Sequence, residues 1–507
     1  MAFSDQDLEA QAALCCGAQE AAPHARLASM LLTAGRAVEA LQAAERALAL
    51  DAGNGEAQAV GAEALAAIQA MDPALAALEI AVVLRPSDPG PALELGYSYA
   101  ELGQAVAAER AFKRALAADA DHADAHAGLG ALYLQAGIDD GAEHHAALAL
   151  RLKPGQAVAS QTLSAILERR GAHGEAQAVL DHAYRRQSLF LEPAADPRMS
   201  VLVLATQSNG NVPYGALMPP RLYGRLIWYM EHARLDEIGR AGPDYDVVFN
   251  AIGDADLAEP SAATVRRFLA GCSRPVLNRP EAVARTRRDR LPALLSGLDG
   301  VVAPAAVRVE RTDGRALLAA ARAGGLEEPV LVRPIGSHGG AGLTRADSAE
   351  ALAAAGEALA GRAAYLTRFH SYRAQDGLWR KGRAIFIDRR PYPYHWAVAD
   401  DWLVHYESSG TAGHAGRRAE ERRFLEDPAS AIGAAAWRAV GEIGRALDLD
   451  YAGLDFSVLE DGRVLVFEAN ATMLVHSEPE DAVTAYKNPA VTAIVGAFQA
   501  MLQDRRG

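Results

Sequence analysis

The chain is poor in cysteine, in aromatic residues and in lysine. Three cysteines stand in 507 residues, Cys15 and Cys16 side by side and Cys272 alone, so neither a disulfide framework nor a Cys-x-x-Cys zinc site can be assembled. A reducing compartment follows. No run of 18 or more apolar residues occurs, which excludes a membrane-spanning helix, and the N-terminal MAFSDQDLEA is acidic where a secretory leader is basic. These features predict a cytoplasmic protein without a membrane partner. Aromatic residues make up 6% while half the chain is apolar, a balance that suits Ala-rich helices and excludes wholesale disorder. At this length several domains are expected, roughly two to four.

Basic charge is also scarce, and unevenly so. The net charge is −14, and residues 1–195 hold 13 Lys+Arg against 25 Asp+Glu, so that part alone carries −12. Nucleic acid is therefore excluded as a partner of this part, because a phosphate backbone requires a basic surface. The acids either keep a helix surface solvated or recruit a basic segment.

A period of 34 residues runs without insertion over 21–190, giving five units. A small residue recurs as Ala40, Ala74, Ala108, Ala142 and Ala176, and a second, seven positions on and on the same helix face, as Ala47, Ala81, Ala115, Ala149 and Ala183. Gly35, Gly103, Gly137 and Gly171 supply the left-handed residue that ends the first helix of a pair, with Gln69 as the exception in the second unit. Pro86 and Pro154 end their units, and Gly96, Tyr99, Gly130 and Tyr133 complete the pattern. The spacing resembles tetratricopeptide repeats. That resemblance implies an all-α solenoid whose concave face takes a peptide or protein segment, with residues 1–20 as an N-terminal helix or cap. The acidity makes a basic segment the first partner to test; homodimer assembly is the alternative use of the array.

LEPAADP, residues 191–197, has two prolines and no helical period, so a linker is expected over 191–198. Beyond it short apolar runs alternate with helical stretches, an α/β pattern with a parallel sheet over 199–275. Further strands are expected at 329–333, 364–369, 383–388, 451–459 and 463–471, and a long helix over 429–447.

The segment YAGLDFSVLEDGRVLVFEANATM, residues 451–473, carries the sharpest chemistry. Asp461-Gly462 reads as a two-residue type I′ hairpin turn, which sets Asp455 opposite Glu468 with Asn470 diagonal on the same face. Like charges directly opposite are unfavourable, so a cation is expected between them, and an all-oxygen donor set suits Mg²⁺. A solvated polar sheet face is the plain alternative.

This hairpin resembles the metal-binding hairpin of ATP-grasp enzymes, the carboxylate-amine ligases related to glutathione synthetase. The resemblance implies an α/β and α+β ATP-grasp fold over 276–507 behind the subdomain at 199–275, with two Mg²⁺ (or Mn²⁺) ions held against ATP by Asp455, Glu468 and Asn470. VLNRPEAVARTRRDRLPALL (276–295) looks like the entry to the ATP-binding subdomain and PVLVRPIGSHGGAGL (329–343) like its phosphate-covering strand and loop. Phosphates then fall to Arg290 and Arg333, standing where the family carries lysines, and to Ser337, Gly339, Gly340 and Gly342 of the loop, whose backbone N–H groups can approach phosphate oxygens. His338 is read as a surface or gate residue. Only four residues of the chain are lysines, so compositional drift also accounts for the arginines. Arg368 and Phe369 match the adenine hinge, with Asp376 as a ribose candidate or a plain turn residue.

On the acceptor side, Arg383 matches the family arginine at the acyl phosphate, with Arg380 beside it, and His395 and His405 are candidates for substrate contact or for a base on the attacking amine. Neither histidine belongs to a zinc motif. Arg417, Arg418 and Arg422 read as a charged loop and helix start. The implied activity is an ATP-dependent ligase forming an amide through an acyl phosphate, with Arg383 and Arg333 as catalytic residues, a small-molecule amine or amino acid as one substrate, and a peptide or protein held by the repeats. The alternatives are small-molecule ligation or phosphotransfer with the repeats used for assembly, and a catalytically inactive scaffold.

Overall fold

The computed structural model describes residues 5–506 except 71–72, 193, 195–196, 208–209, 220–221, 241–243, 338–339, 360 and 480–481. The chain divides into two compact units, Met1–Gln187 and Ser188–Gly507. Among the described residues no helix is long and apolar enough to cross a membrane.

The first unit is all α, an array of helix pairs behind a leading helix: α1 (Asp5–Cys15), α2 (Ala21–Thr33), α3 (Ala37–Leu50), α4 (Gly55–Ala70), α5 (Pro73–Leu84), α6 (Pro89–Glu101), α7 (Ala105–Ala118), α8 (Ala123–Gln135), α9 (Asp139–Leu152), α10 (Ala157–Arg169) and α11 (His173–Arg186). The repeated alanines sit at the helix crossings: Ala40, Ala108, Ala142, Ala47, Ala115, Ala149 and Ala183 are fully buried, which lets helix backbones approach closely. Gly35, Gly103, Gly137 and Gly171 all adopt φ between +72° and +76°, the conformation that stops the first helix of each pair. Where Gln69 replaces that glycine, α4 runs on to Ala70, three residues past the place set by the period. Ile80 and Leu84 on α5 stay exposed there.

The second unit contains three sheets. β1 (Leu189–Glu192), β2 (Met199–Ala205), β3 (Tyr223–Tyr229), β4 (Val247–Asn250) and β5 (Val276–Leu277) form the first, in the order β1-β3-β2-β4-β5. Its inner strands are parallel, as the α/β pattern predicts, and β1 lies antiparallel at the edge. Two residues expected in the linker, Leu191 and Glu192, thus belong to an edge strand, its last residue tied to Arg225. The second sheet is antiparallel and comprises, after β6 (Val301–Val302), β7 (Ala306–Val309), β8 (Val330–Pro334), β9 (Thr344–Ala346) and β10 (Ala364–Arg368), ordered β7-β10-β8-β9. The third joins β11 (Trp379–Ile387), β12 (Arg390–Ala399), β13 (Tyr451–Val458) and β14 (Val464–Asn470) with β6 at its edge, ordered β12-β11-β13-β14-β6.

The helix expected over 429–447 is two helices, Pro428–Ile432 and Ala434–Leu447, interrupted at Gly433 with φ +93°. The two-residue hairpin turn with both residues at positive φ joins β11 to β12 at Asp388 and Arg389, not β13 to β14.

Candidate functional site

The β13–β14 hairpin closes through three loop residues. Leu459 N–H donates to Arg463 O at 2.8 Å, and Gly462 takes the left-handed conformation at φ +82°. This corrects the two-residue turn, because Gly462 ends a three-residue loop. The near-turn pairs Val458↔Val464, Ser457↔Leu465 and Phe456↔Val466 are accordingly one residue out of the expected register. A bulge at Phe467 then restores it, so Asp455 faces Glu468 and Asn470 pairs with Gly453.

The row continues across the sheet. Glu468, Asp455, Arg383 and His395 stand in direct register on β14, β13, β11 and β12. Asp455 is fully buried. Arg383 grips it with Nε on Oδ1 at 2.6 Å and Nη2 on Oδ2 at 3.0 Å, while Lys381 Nζ lies 2.7 Å from Oδ2. Burial alone would raise the Asp455 carboxyl, but the two cations outweigh it and hold it well below the usual carboxylate range. Glu468 is ion-paired with Arg288. The positive charge that the paired carboxylates call for is thus supplied in this structure by side chains: Lys381 and Arg383 on one carboxylate, Arg288 on the other.

A cavity opens between the second and third sheets. Its charged end carries Arg288, Arg333, Lys381, Arg383, Asp455 and Glu468; its apolar end carries Leu331, Phe369, Tyr372, Trp402, Val404 and Phe467. The aromatic rings interlock, with Phe369 and Trp402 centroids 5.6 Å apart and Tyr372 and Phe467 4.8 Å apart. Among the described residues no carboxylate or carbonyl lies within hydrogen-bond reach of the Arg333 guanidinium. Burial, with the Arg288 charge beside it, lowers Arg333 to about 9, so it remains cationic at neutral pH.

A smaller polar chamber shares Arg288, Arg333, Tyr365 and Glu468 with this cavity and adds Asp254, Asp256, Arg287, Ser337 and Asn470. Asp256 accepts from Tyr365 Oη at 2.7 and 2.9 Å and pairs with Arg308. Its loop approaches β14 closely because residue 253 is glycine; a Cβ there would stand 2.9 Å from the Ala471 carbonyl carbon.

The remaining candidates separate. Gly340, Arg368, Phe369 and His405 line the cavity and Ser337 the chamber, its Oγ donating to Pro334 O at 2.7 Å. The Phe369 N–H is already committed to Pro329 O at 2.9 Å, and Arg368 reaches out to Glu327. Gly339 and His338 fall outside the described residues. Gly342, at φ +68°, packs against Pro334 and lines neither space. Arg290 is exposed at the start of a short helix and lines neither, whereas Arg288, two residues earlier, lines both. Asp376 and Arg380 pair with each other, at 2.6 Å, outside both spaces, and Arg380 also grips Glu420 at 2.5 Å, so this pair straps a loop. His395 is buried and lines neither space; burial and the charge of Arg383 keep its imidazole neutral, and its Nδ1 has no partner among the described residues. Arg417 is drawn to Asp400 and Ser409 O.

Sequence reasoning missed Arg288, Lys381, Asp254, Asp256 and Tyr365. Lys381 carried a signal, since lysine is so rare in this chain and it stands two residues from Arg383 on the same strand face.

No protein-family model and no curated protein matches the chain. Among solved structures, carboxyaminoimidazole ribonucleotide synthase from Aspergillus clavatus, complexed with ATP, is 12% identical over 58% of this chain and 77% of its own, with a TM-score of 0.38. A RimK-domain ATP-grasp protein from Sphaerobacter thermophilus is 17% identical over 61% of this chain and 99% of its own, TM-score 0.36. YrrB, a tetratricopeptide protein with an unusual peptide-binding site, is 21% identical over 34% of this chain and 90% of its own, TM-score 0.21. The chain is thus similar to ATP-grasp proteins over its C-terminal part and to tetratricopeptide proteins over its N-terminal part.

Proposed function

We propose that the C-terminal unit is an ATP-dependent carboxylate-amine ligase. The observation that carries this reading is Arg333: a half-buried guanidinium without an anion among the described residues, at the junction of a half-aromatic cavity and a polar chamber. A buried cation left unpaired is costly unless a ligand anion completes it. The base and ribose of a nucleotide fit among Phe369, Tyr372 and Trp402, and its phosphates fit against Arg288, Arg333, Lys381 and Arg383. The chamber beyond Arg333 then takes the carboxylate that receives the γ-phosphoryl group.

Arg333 presents a forked donor where negative charge builds up on the transferred group, and Arg383, whose Nε and Nη2 are held by the buried Asp455, adds its remaining Nη1 in a fixed orientation. An amine attacking the acyl phosphate carbon displaces phosphate, loses a proton, and leaves an amide. Asp455, Glu468 and the Asn470 amide oxygen are hard oxygen donors of the kind Mg²⁺ or Mn²⁺ takes, and they would hold such an ion where β13 and β14 meet the chamber by exchanging for it the cations now on Asp455 and Glu468 and the Thr472 donors now on Asn470. A bound divalent ion would neutralise phosphate charge. On this reading the repeats recruit a peptide or protein that carries one of the reacting groups.

The test measures ADP release by the purified full chain with ATP, Mg²⁺ and pools of amino acids and peptides, followed by mass spectrometry of whatever stimulates it. A product heavier by a condensed amine supports the reading; stimulated ADP release with phosphorylated product alone replaces ligation with phosphotransfer.

A further inference from the structure

The first unit contains a cleft between α1–α3 and α7 whose charge opposes that of the unit as a whole. Its walls carry Arg36 and Arg46 from α3 and its leading edge, and Arg110, Lys113 and Arg114 from α7. Five of the 13 cationic residues of 1–195 thus meet in one cleft, against two lining acids, Glu9 and Glu39. The stripes follow from helical spacing. Arg110, Arg114 and Ala117 lie three to four residues apart on one flank of α7, beside the buried Ala108, Ala111, Phe112 and Ala115. Arg36, Glu39, Ala43 and Arg46 do the same on α3.

Pairing within the cleft leaves a surplus. Glu39 is held by Arg36 at 2.6 Å and by Arg114 from the other wall; burial would raise its carboxyl, but the two guanidinia bring it below the ordinary value. Lys113 pairs with Glu109, whose second partner is Tyr133. Arg46, exposed on α3, and Arg110, whose only hydrogen bond is to Ala34 O at 3.3 Å, have no carboxylate partner among the described residues. Beside them the apolar Leu8, Leu27 and Leu31 give the cleft a floor.

We propose that this cleft binds an acidic peptide segment, its carboxylates on Arg46 and Arg110 and its apolar side chains on the leucine floor. The net charge of the unit pointed to a basic partner; the cleft's own walls reverse that sign, because the acids are spread over the remaining surface. The proposal is independent of the nucleotide reading, and its test does not require turnover.

Fluorescence anisotropy of the full chain with a labelled peptide alternating Glu and Ser, and with its Lys/Ser counterpart, decides it. The acidic peptide binds and the basic one does not. Arg46→Glu and Arg110→Gln each weaken binding roughly tenfold, as does raising salt several-fold, whereas Arg151→Glu on α9 leaves it unchanged. Circular dichroism confirms that each variant keeps its helix content. Binding of the Lys/Ser peptide at equal or higher affinity, acidic-peptide binding indifferent to Arg46→Glu, or binding of neither peptide overturns the proposal.

Discussion

Arg383 and Asp455 face each other on neighbouring strands and share two hydrogen bonds, at 2.6 and 3.0 Å, with Lys381 on the same carboxylate. Asp455→Asn removes the one anion that, among the described residues, pairs with both cations. Breaking a buried pair from one side costs about 3–5 kcal/mol, so the variant melts at lower temperature, and ADP release falls by roughly two orders of magnitude. Arg383→Lys retains the charge and most of the stability but loses the fork, which separates orientation from charge in the same assay.

Arg333 and Arg288 line the half-aromatic cavity and Arg290 does not. Titration with a fluorescent ATP analogue therefore ranks the three. Arg333→Ala weakens binding by about ten- to a hundredfold, through loss of a charge-assisted contact of about 1.5–3 kcal/mol. Arg288→Ala weakens it too while freeing Glu468. Arg290→Ala changes nothing; an equal loss at Arg290 would return the phosphate contact to the residue named from sequence.

Gly253 directly precedes the chamber's acidic residues Asp254 and Asp256 and lies against Ala471. Gly253→Ala places a methyl group 2.9 Å from Ala471 backbone, a contact relieved only by moving the loop that carries Asp254 and Asp256. The expected cost is about 1–3 kcal/mol in denaturant unfolding, with ligase turnover reduced more than nucleotide affinity, since the loop lines the chamber and not the aromatic cavity.

His145 gives the repeat array an acid limit. Burial, with His126, His144 and Lys113 nearby, lowers its imidazole to about 4, and its Nδ1 lies 2.9 Å from Nδ1 of His126, so the pair needs one ring neutral. The unfolded chain, with an ordinary value of about 6.5, takes up this proton first, so stability is full above that pH and is lost as pH falls from about 6.5 towards 4. The loss is about 1–2 kcal/mol after allowance for partial exposure. Thermal melts of the full chain from pH 7 to pH 4 show it, and His145→Phe flattens the slope.

The repeat array was legible because a 34-residue period places each small residue and each turn glycine by arithmetic, and the deviation at Gln69 was visible as the missing glycine. The order of strands in the second unit was legible from apolar runs bounded by turns. The carboxylate pair was met although the turn was misread, because the bulge at Phe467 offsets the extra loop residue and returns Glu468 to the face of Asp455. The cationic partners were not legible. Which guanidinium reaches Glu468 depends on two residues' difference along a turn, 288 or 290, and no periodicity governs a turn. Asp256, on a turn, meets Tyr365, on a strand more than a hundred residues away, and Tyr365 and Lys381 line one cavity from different sheets, meetings set by how the elements pack. The cleft charge was hidden for a similar reason, since a sum over 195 residues says nothing about where a helix flank directs its arginines.

The bulge at Phe467 has a consequence for how this hairpin tolerates change. It takes up one residue between the loop at 460–462 and the row of Glu468, Asp455, Arg383 and His395, and turns the Phe467 ring into contact with Tyr372. The loop end and the chemical end of the same two strands therefore keep separate phases. A one-residue change in the loop can be absorbed where Phe467 already interrupts the ladder, leaving the carboxylates face to face, whereas a deletion at Phe467 itself would make the ladder regular, keep Glu468 opposite Asp455 and leave nothing to take up a further change in the loop.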